Sequence, residues 1–336
     1  MASTLVPGAF SRNDRLGRSA RTCVRYGVAG PSEISATALE RVAPSGSDWE
    51  VAAVQSPTAS FASYRELLGS GRIDAVVLTH RAPQLLRYVV AALEAGVHVL
   101  CGEPAAASPA DCDALARAAR SHTRPLIVAS RTALSPVNRA AAEHARLLGD
   151  LRVFSEVTCS TETSASVLAA ACVSRARQFF REEPSEVLGA TRCKLPSVVS
   201  ATLRFSGERL ALFACGFDRR ASSRYDVVGS RGHLRACSAP LDRDDDELYV
   251  TIDGVTTQHR FSRASAFASE LTEFSARVLT QRAPAPTARE ALANGRVLAA
   301  IEQASSQDSS VRVNRVQRGR ARPTGERTGL GAQSAR

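Results

Sequence analysis

Residues Ile73–Pro104 read IDAVVLTHRAPQLLRYVVAALEAGVHVLCGEP, and their order of apolar and polar positions decides the fold. Ile73, Ala75, Val76, Val77 and Leu78 form a short apolar run, as expected of a strand buried on both faces. Leu85, Leu86, Val89, Val90 and Leu93 recur at helical spacing, and Gly96 stands where a helix C-cap belongs. His98 to Cys101 return as a strand and run into Gly102-Glu103-Pro104. Two parallel strands joined by a helix make a βαβ unit. Ligands of an open α/β sheet bind beyond the carboxyl ends of such strands.

Toward the N-terminus, Thr22–Gly30 (TCVRYGVAG) predicts the first strand of a dinucleotide fold, followed by a helix over Ala36–Val42. The junction reads Gly30-Pro31-Ser32-Glu33-Ile34-Ser35, a G-x-S-x-x-S variant of the phosphate-binding G-x-G-x-x-G, with Gly27 preceding it. Pro31 removes one backbone N–H that could face a phosphate. Trp49–Val54 predicts the second strand, and Gln55-Ser56-Pro57 follows it where an acidic ribose acceptor of an NAD enzyme would stand. Only Ser63–Leu68 is left to form the next helix. Ser108-Pro109 opens a helix with Ala110, Leu115, Ala118 and Ala119 toward the core, and Leu126–Ala129 is the next strand. Arg131 and Asn138 then lead into a helix through Leu148, closed by Gly149-Asp150.

Beyond residue 150 short strands dominate: Arg152–Cys159, Glu186–Arg192, Val198–Phe205, Leu210–Gly216, Tyr225–Gly229, Leu234–Ala236, Leu248–Ile252 and Val255–Phe261. Ser206-Gly207-Glu208 and Asp253-Gly254 supply hairpin turns, so a mostly antiparallel open sheet is expected. A final helix is expected at Thr287–Gln303. The domain reading is therefore a basic leader (1–21), a Rossmann-like α/β domain (22–150), an α+β sheet domain (151–311) and a basic tail (312–336).

On these motifs the chain resembles the glucose-fructose oxidoreductase/inositol dehydrogenase/MocA (Gfo/Idh/MocA) superfamily. Ala95-Gly96-Val97-His98-Val99-Leu100-Cys101, Val228-Gly229-Ser230-Arg231-Gly232 and the helix ending in Glu182-Glu183-Pro184 carry the likeness over roughly residues 22–311. The resemblance implies NAD or NADP as cofactor and a sugar, polyol or related alcohol as substrate. It also implies a dimer or tetramer formed through the C-terminal sheet. It places Gly30, Ser32, Ile34, Ser56, Thr79, His80, Glu103, Pro104 and Arg131 around the cofactor. The family's catalytic lysine falls on Glu103, its acid on Val167 and its His or Tyr on Ala171, none of which reproduces the usual proton relay. Two readings follow: an oxidoreductase with an altered relay, or a relative that keeps the fold as a nucleotide- or sugar-binding or regulatory module.

Composition narrows the alternatives. The 336 residues carry a net charge of +10. Residues 1–25 hold five arginines against Asp14, and 312–336 hold seven against Glu326, which leaves 31 basic and 31 acidic residues in a neutral body. Basic tails without interleaved aromatics read as solvated segments and not as a nucleic-acid surface. The Ser/Arg-rich leader also has the composition of an organellar transit peptide, against a cytoplasmic expectation for the body. No apolar run reaches the ~20 residues of a membrane span. The eight cysteines lack C-x-x-C spacing, predicting reduced, mostly buried thiols. The histidines and the Asp242–Asp246 run lack metal-ligand spacing, so no metal is expected. Cys172 reads as a buried thiol and His98 as a core histidine. Lys194 is the sole lysine, and its place on a sheet strand makes it a poor substitute for a catalytic one.

Overall fold

The computed structural model describes residues 23–30, 49–55, 63–78, 84–101, 106, 108–120, 128–130, 134–160, 164–193, 198–217, 222–238, 245–280 and 288–313. The helix expected at 36–42 lies outside them. Five parallel strands form the first sheet: β1 (Val24–Ala29), β2 (Trp49–Gln55), β3 (Ala75–Leu78), β4 (His98–Cys101) and β5 (Val128–Ser130), in the order β2-β1-β3-β4-β5. Their helices are α1 (Tyr64–Gly69), α2 (Leu85–Glu94), α3 (Pro109–Arg120) and α4 (Pro136–His144).

The quoted βαβ unit forms as its pattern dictates. Every residue of β3 and β4 is buried, and Ala75–Leu78 pair in register with His98–Cys101. The i, i+4, i+7, i+8 stripe of Leu85, Val89, Ala92 and Leu93 turns inward on α2. Burying each large side chain contributes roughly 1.5–3 kcal/mol. Gly96 takes φ 75 just past the helix end, a conformation that costs a residue with a Cβ more than glycine. Short α1 does form: the Ser63 hydroxyl caps it by accepting from Glu66 N at 3.2 Å. On α3 one expectation fails. Ala110 is exposed, and Cys112, Leu115, Ala116 and Ala118 make the buried stripe, because Ala110 stands two residues before Cys112 and so faces the opposite side of the helix.

The second sheet has nine strands in the order β13-β12-β11-β10-β6-β9-β8-β7-β14. They are β6 (Leu151–Ser160), β7 (Glu186–Cys193), β8 (Val198–Arg204), β9 (Leu210–Phe217), β10 (Ser222–Gly229), β11 (Gly232–Ser238), β12 (Asp245–Ile252), β13 (Val255–Ser262) and β14 (Val311–Arg312). Pairings are antiparallel except β6 with β9. The sheet stays open, and each expected strand occurs within it. Two-residue β14 was not foreseen; it is too short to leave a period in the sequence. Asp253 (φ 50) and Gly254 (φ 85) make the β12–β13 turn with both central residues at positive φ, as a twisted hairpin requires.

Alternation in these strands divides the sheet into two faces. Phe154, Glu156 and Thr158 of β6 point to the buried side, together with Tyr225, Val227, Leu234, Ala236, Leu248 and Val250. Helix α5 (Ala165–Phe180) covers that side, burying Val167, Ala169, Ala170, Cys172, Val173 and Ala176. Two further helices, α6 (Arg263–Thr280) and α7 (Ala288–Gln307), run back to the first sheet. Leu271 and Phe274 of α6 pack on Val24, Tyr26, Val28, Val77 and Leu100, so a helix from beyond residue 262 covers one face of the parallel sheet. The Tyr26 hydroxyl meets Ser275 Oγ at 3.0 Å.

Where the two sheets join, the Val228–Gly232 turn grips residues 148–150. Arg231 N donates to Leu148 O at 2.9 Å and Ser230 N to Asp150 O at 3.0 Å. A Cβ on Gly229 would collide with Leu148 O, which is the physical demand behind that glycine.

Candidate functional site

A parallel sheet ordered β2-β1-β3-β4-β5 reverses its winding between β1 and β3, and that switch point opens a crevice at the carboxyl ends of the strands. Gly30 closes β1 at this point with φ 139, a backbone geometry that side-chain-bearing residues rarely adopt. Leu78, Cys101 and Ser130 end the neighbouring strands. The expected cofactor residues Ser32, Ile34, Ser56, Thr79, His80, Glu103, Pro104 and Arg131 follow these strand ends in sequence and lie outside the described residues. So does the Asp242–Asp244 part of the acidic run.

Gly27, the glycine preceding the fingerprint, serves packing. A Cβ there would sit 3.0 Å from Ile73 Cδ1 and 3.2 Å from both Leu67 methyls, so its hydrogen faces α1 and not the crevice. His98 is buried as expected of a core histidine.

The α5 helix holds Val167 and Ala171, the positions expected from the resemblance for the acid and the His or Tyr. Its N-terminus is capped by the Ser164 hydroxyl, which accepts from Val167 N at 3.4 Å. Val167 is 2% exposed and packs inward, whereas Ala171 is half-buried. Neither carries a proton. Cys172 is fully buried, and burial pushes its thiol well above the usual range. Cys101, Cys112, Cys172 and Cys215 are buried, Cys193 is exposed near the end of β7, and none of the eight cysteines is in a disulfide.

A buried polar node beneath α5 escaped sequence reasoning. Glu156 of β6 and Arg175 of α5 form an ion pair with side chains 1% and 12% exposed. The guanidinium lies 5.0 Å from the centre of the Tyr225 ring, and Tyr225 stands directly opposite Glu156 in the β6–β10 register. The Tyr225 hydroxyl donates to Asn138 Oδ1 of α4 at 2.7 Å. Burial disfavours the Arg175 charge, yet Glu156 and Tyr225 outweigh it and hold the guanidinium above its ordinary value. Burial likewise raises the Tyr225 phenol. One signal was legible: Glu156 puts a carboxylate between Phe154 and Thr158 on the inward phase of an alternating strand.

The open face of the nine-stranded sheet carries a different concavity of about 830 Å³, lined by Arg224, His233, Arg235, Glu247 and Tyr249 among others. It lies across the sheet from α5 and contains none of the expected cofactor residues. Among the described residues no group of three or more His, Cys, Asp and Glu could hold a metal ion, and no helix is long and apolar enough to cross a membrane.

Comparison with known proteins agrees with this geometry. Residues 24–130 match the GFO_IDH_MocA family model, described as an oxidoreductase family with an NAD-binding Rossmann fold. Among solved structures, the aldose-aldose oxidoreductase from Caulobacter crescentus, complexed with glycerol, superposes with a TM-score of 0.69 at 18% identity, over 86% of this chain and 99% of that one. A 3-ketoreductase from Actinomadura kijaniata, in complex with NADP and TDP-benzene, gives 0.64 at 20% identity over 84% and 98%. An NAD binding oxidoreductase from Klebsiella pneumoniae gives 0.67 at 18% over 87% and 100%. At these identities the likeness is one of fold, and it extends through both sheets.

Proposed function

We propose that the protein is an NAD(P)-dependent oxidoreductase acting on a sugar, polyol or related alcohol, since residues 24–130 match the model of an oxidoreductase family with an NAD-binding Rossmann fold. The observation that carries the reading is the switch point of the parallel sheet, with Gly30 at φ 139 where a Cβ would intrude on a bound pyrophosphate. The similar solved proteins are described as oxidoreductases and a ketoreductase, which favours catalysis over a regulatory module.

In this reading the backbone at Gly30, Ser32 and Ile34 holds the pyrophosphate and Ser56 the ribose. Thr79, His80, Glu103, Pro104 and Arg131 line the crevice. The nicotinamide, when bound, supplies or accepts a hydride. Because Val167 and Ala171 cannot move a proton, the substrate hydroxyl needs another acceptor, and Glu103 is the carboxylate at the matching end of β4.

A second copy of the chain covers the open sheet face. Val157, Leu212 and Val228, at 50%, 39% and 39% exposure, lie on the central strands of that face. We place the protein in the cytoplasm, with small molecules and its own copy as partners, and with neither nucleic acid nor membrane among them.

Titration of the purified protein with NADH and NADPH, read by fluorescence, followed by a panel of polyols and aldoses, tests the reading. Micromolar binding with turnover that Glu103→Ala abolishes is the expected outcome; no binding of either nucleotide overturns it. Light scattering of wild type and Val157→Glu tests the pairing, with a shift from dimer to monomer expected.

A further inference from the structure

Four side chains from four elements meet in a chain that runs from the nine-stranded sheet to the nucleotide-binding sheet. Glu156 of β6 pairs with Arg175 of α5, whose guanidinium lies over the Tyr225 ring of β10, whose hydroxyl donates to Asn138 of α4 at 2.7 Å. Asn138 stands in the first turn of α4, the helix that follows β5 of the parallel sheet. Further along, the connection continues. Arg139 donates to Glu273 and Ser269 of α6, both at 2.8 Å. His144 meets His259 of β13 with ring centres 4.8 Å apart and the ring planes tilted by 52°. Among the described residues, the Tyr225–Asn138 bond joins the nine-stranded sheet to the first turn of the helix that follows β5.

The node is costly for a purely structural element. Two charges are withdrawn from water, and Glu156 Oε2 is buried with no hydrogen-bond partner among the described residues. An apolar packing of the same volume would serve stability as well or better. What a buried polar chain adds is a single permitted geometry. Arg175 also lies one helical turn beyond Ala171, on the same stripe of α5. The chain therefore ties the orientation of α5, which borders the proposed substrate, to α4, which follows a cofactor-side strand.

We propose that Tyr225 and Asn138 are positioning residues. Their hydrogen bond, braced by Arg175 and Glu156, fixes the nucleotide-binding sheet at one angle to α5, and so fixes the approach of nicotinamide to substrate. The effect on hydride transfer rests on the oxidoreductase reading; the mechanical coupling does not.

Tyr225→Phe keeps the ring and its contact with Arg175 while removing the hydroxyl. Hydrogen–deuterium exchange of the full chain should then show amides 137–144 of α4 exchanging at least about fivefold faster, with α3 unchanged. Asn138→Ala should reproduce this, and Asn138→Asp, which keeps the acceptor oxygen, should restore protection. Unchanged α4 exchange in Tyr225→Phe overturns the proposal, whether or not the protein turns over a substrate. With a turned-over substrate, Tyr225→Phe should lower kcat about tenfold at unchanged KM for the nucleotide, under conditions where both proteins are folded. Equal kcat overturns the positioning role. Failure of the wild type to bind any nucleotide would remove the oxidoreductase reading alone, since exchange still judges the coupling.

Discussion

Gly295 of α7 rests on Cys112 of α3: a Cβ added at 295 would stand 2.8 Å from Cys112 Cβ and 3.6 Å from Pro109 Cα. A helix from near the end of the described chain is thus seated against the nucleotide-binding half, and the seat depends on a missing methyl group. Alanine favours a helix over glycine by ~1 kcal/mol. Here overpacking should outweigh that gain, since inserting a carbon into a tight contact costs roughly 1–3 kcal/mol. Gly295→Ala is expected to lower stability by about 1 kcal/mol in urea denaturation. A gain would show that α7 can lift off α3 freely.

Burial pushes the Cys112 thiol up to about 12, and Cys172 is raised by the same cause. The unfolded chain releases these protons near the ordinary thiol value of ~8.5 while the folded chain keeps them. The stabilisation is therefore complete below the unfolded value and is lost as pH climbs toward the folded one. Between pH 9 and 12 the Cys112 thiol should reduce unfolding free energy by up to about 1.4 kcal/mol per pH unit, and Cys172 acts in the same direction. Denaturation at pH 8, 9 and 10 should show this slope. Cys112→Ala should flatten it by about half before the buried tyrosines contribute.

Strands and helices were legible where one periodicity governed. Leu85, Leu86, Val89, Val90 and Leu93 announced α2, and the short strands with their turns announced the open sheet. What stayed hidden was long-range. Nothing local in Phe267–Phe274 says that Phe274 covers Tyr26 of β1, with ring centres 6.2 Å apart. Ala110, expected in the core, is exposed because it lies on the face of α3 opposite Cys112, which α7 covers. For the candidate site, the glycine at the end of β1 and the inert Val167 and Ala171 could be read directly. The Glu156–Arg175–Tyr225–Asn138 chain could not, since its members are brought together only by the β6–β10 register and the packing of α4 and α5.

Breaking the ion pair of that chain has a testable asymmetry. Glu156→Gln leaves the Arg175 charge buried with its counter-ion gone, and uncompensated burial of this kind costs about 3–5 kcal/mol. The double substitution Glu156→Leu with Arg175→Met removes both charges and should recover most of that loss, to within ~1–2 kcal/mol of the wild type. Urea denaturation of the three proteins measures it. A double variant as unstable as the single one would mean that shape, and not charge, is what the pair contributes.

Gly30 and Gly71 both have positive φ, 139 and 66, and only the first stands at the switch point of the parallel sheet. A side chain at either position strains the backbone by roughly 1–3 kcal/mol. At Gly71 a Cβ would meet nothing within 4 Å, so Gly71→Ala isolates the cost of strain. Both substitutions should lower stability by comparable amounts. If the end of β1 receives a pyrophosphate, they should part company on binding. Gly30→Ala is expected to weaken NADH and NADPH at least about tenfold, because the added carbon pushes the phosphates from the backbone N–H groups. Gly71→Ala should leave both affinities within twofold of the wild type. Parallel titrations of the two variants make the comparison, and equal affinities in both would place the nucleotide away from β1.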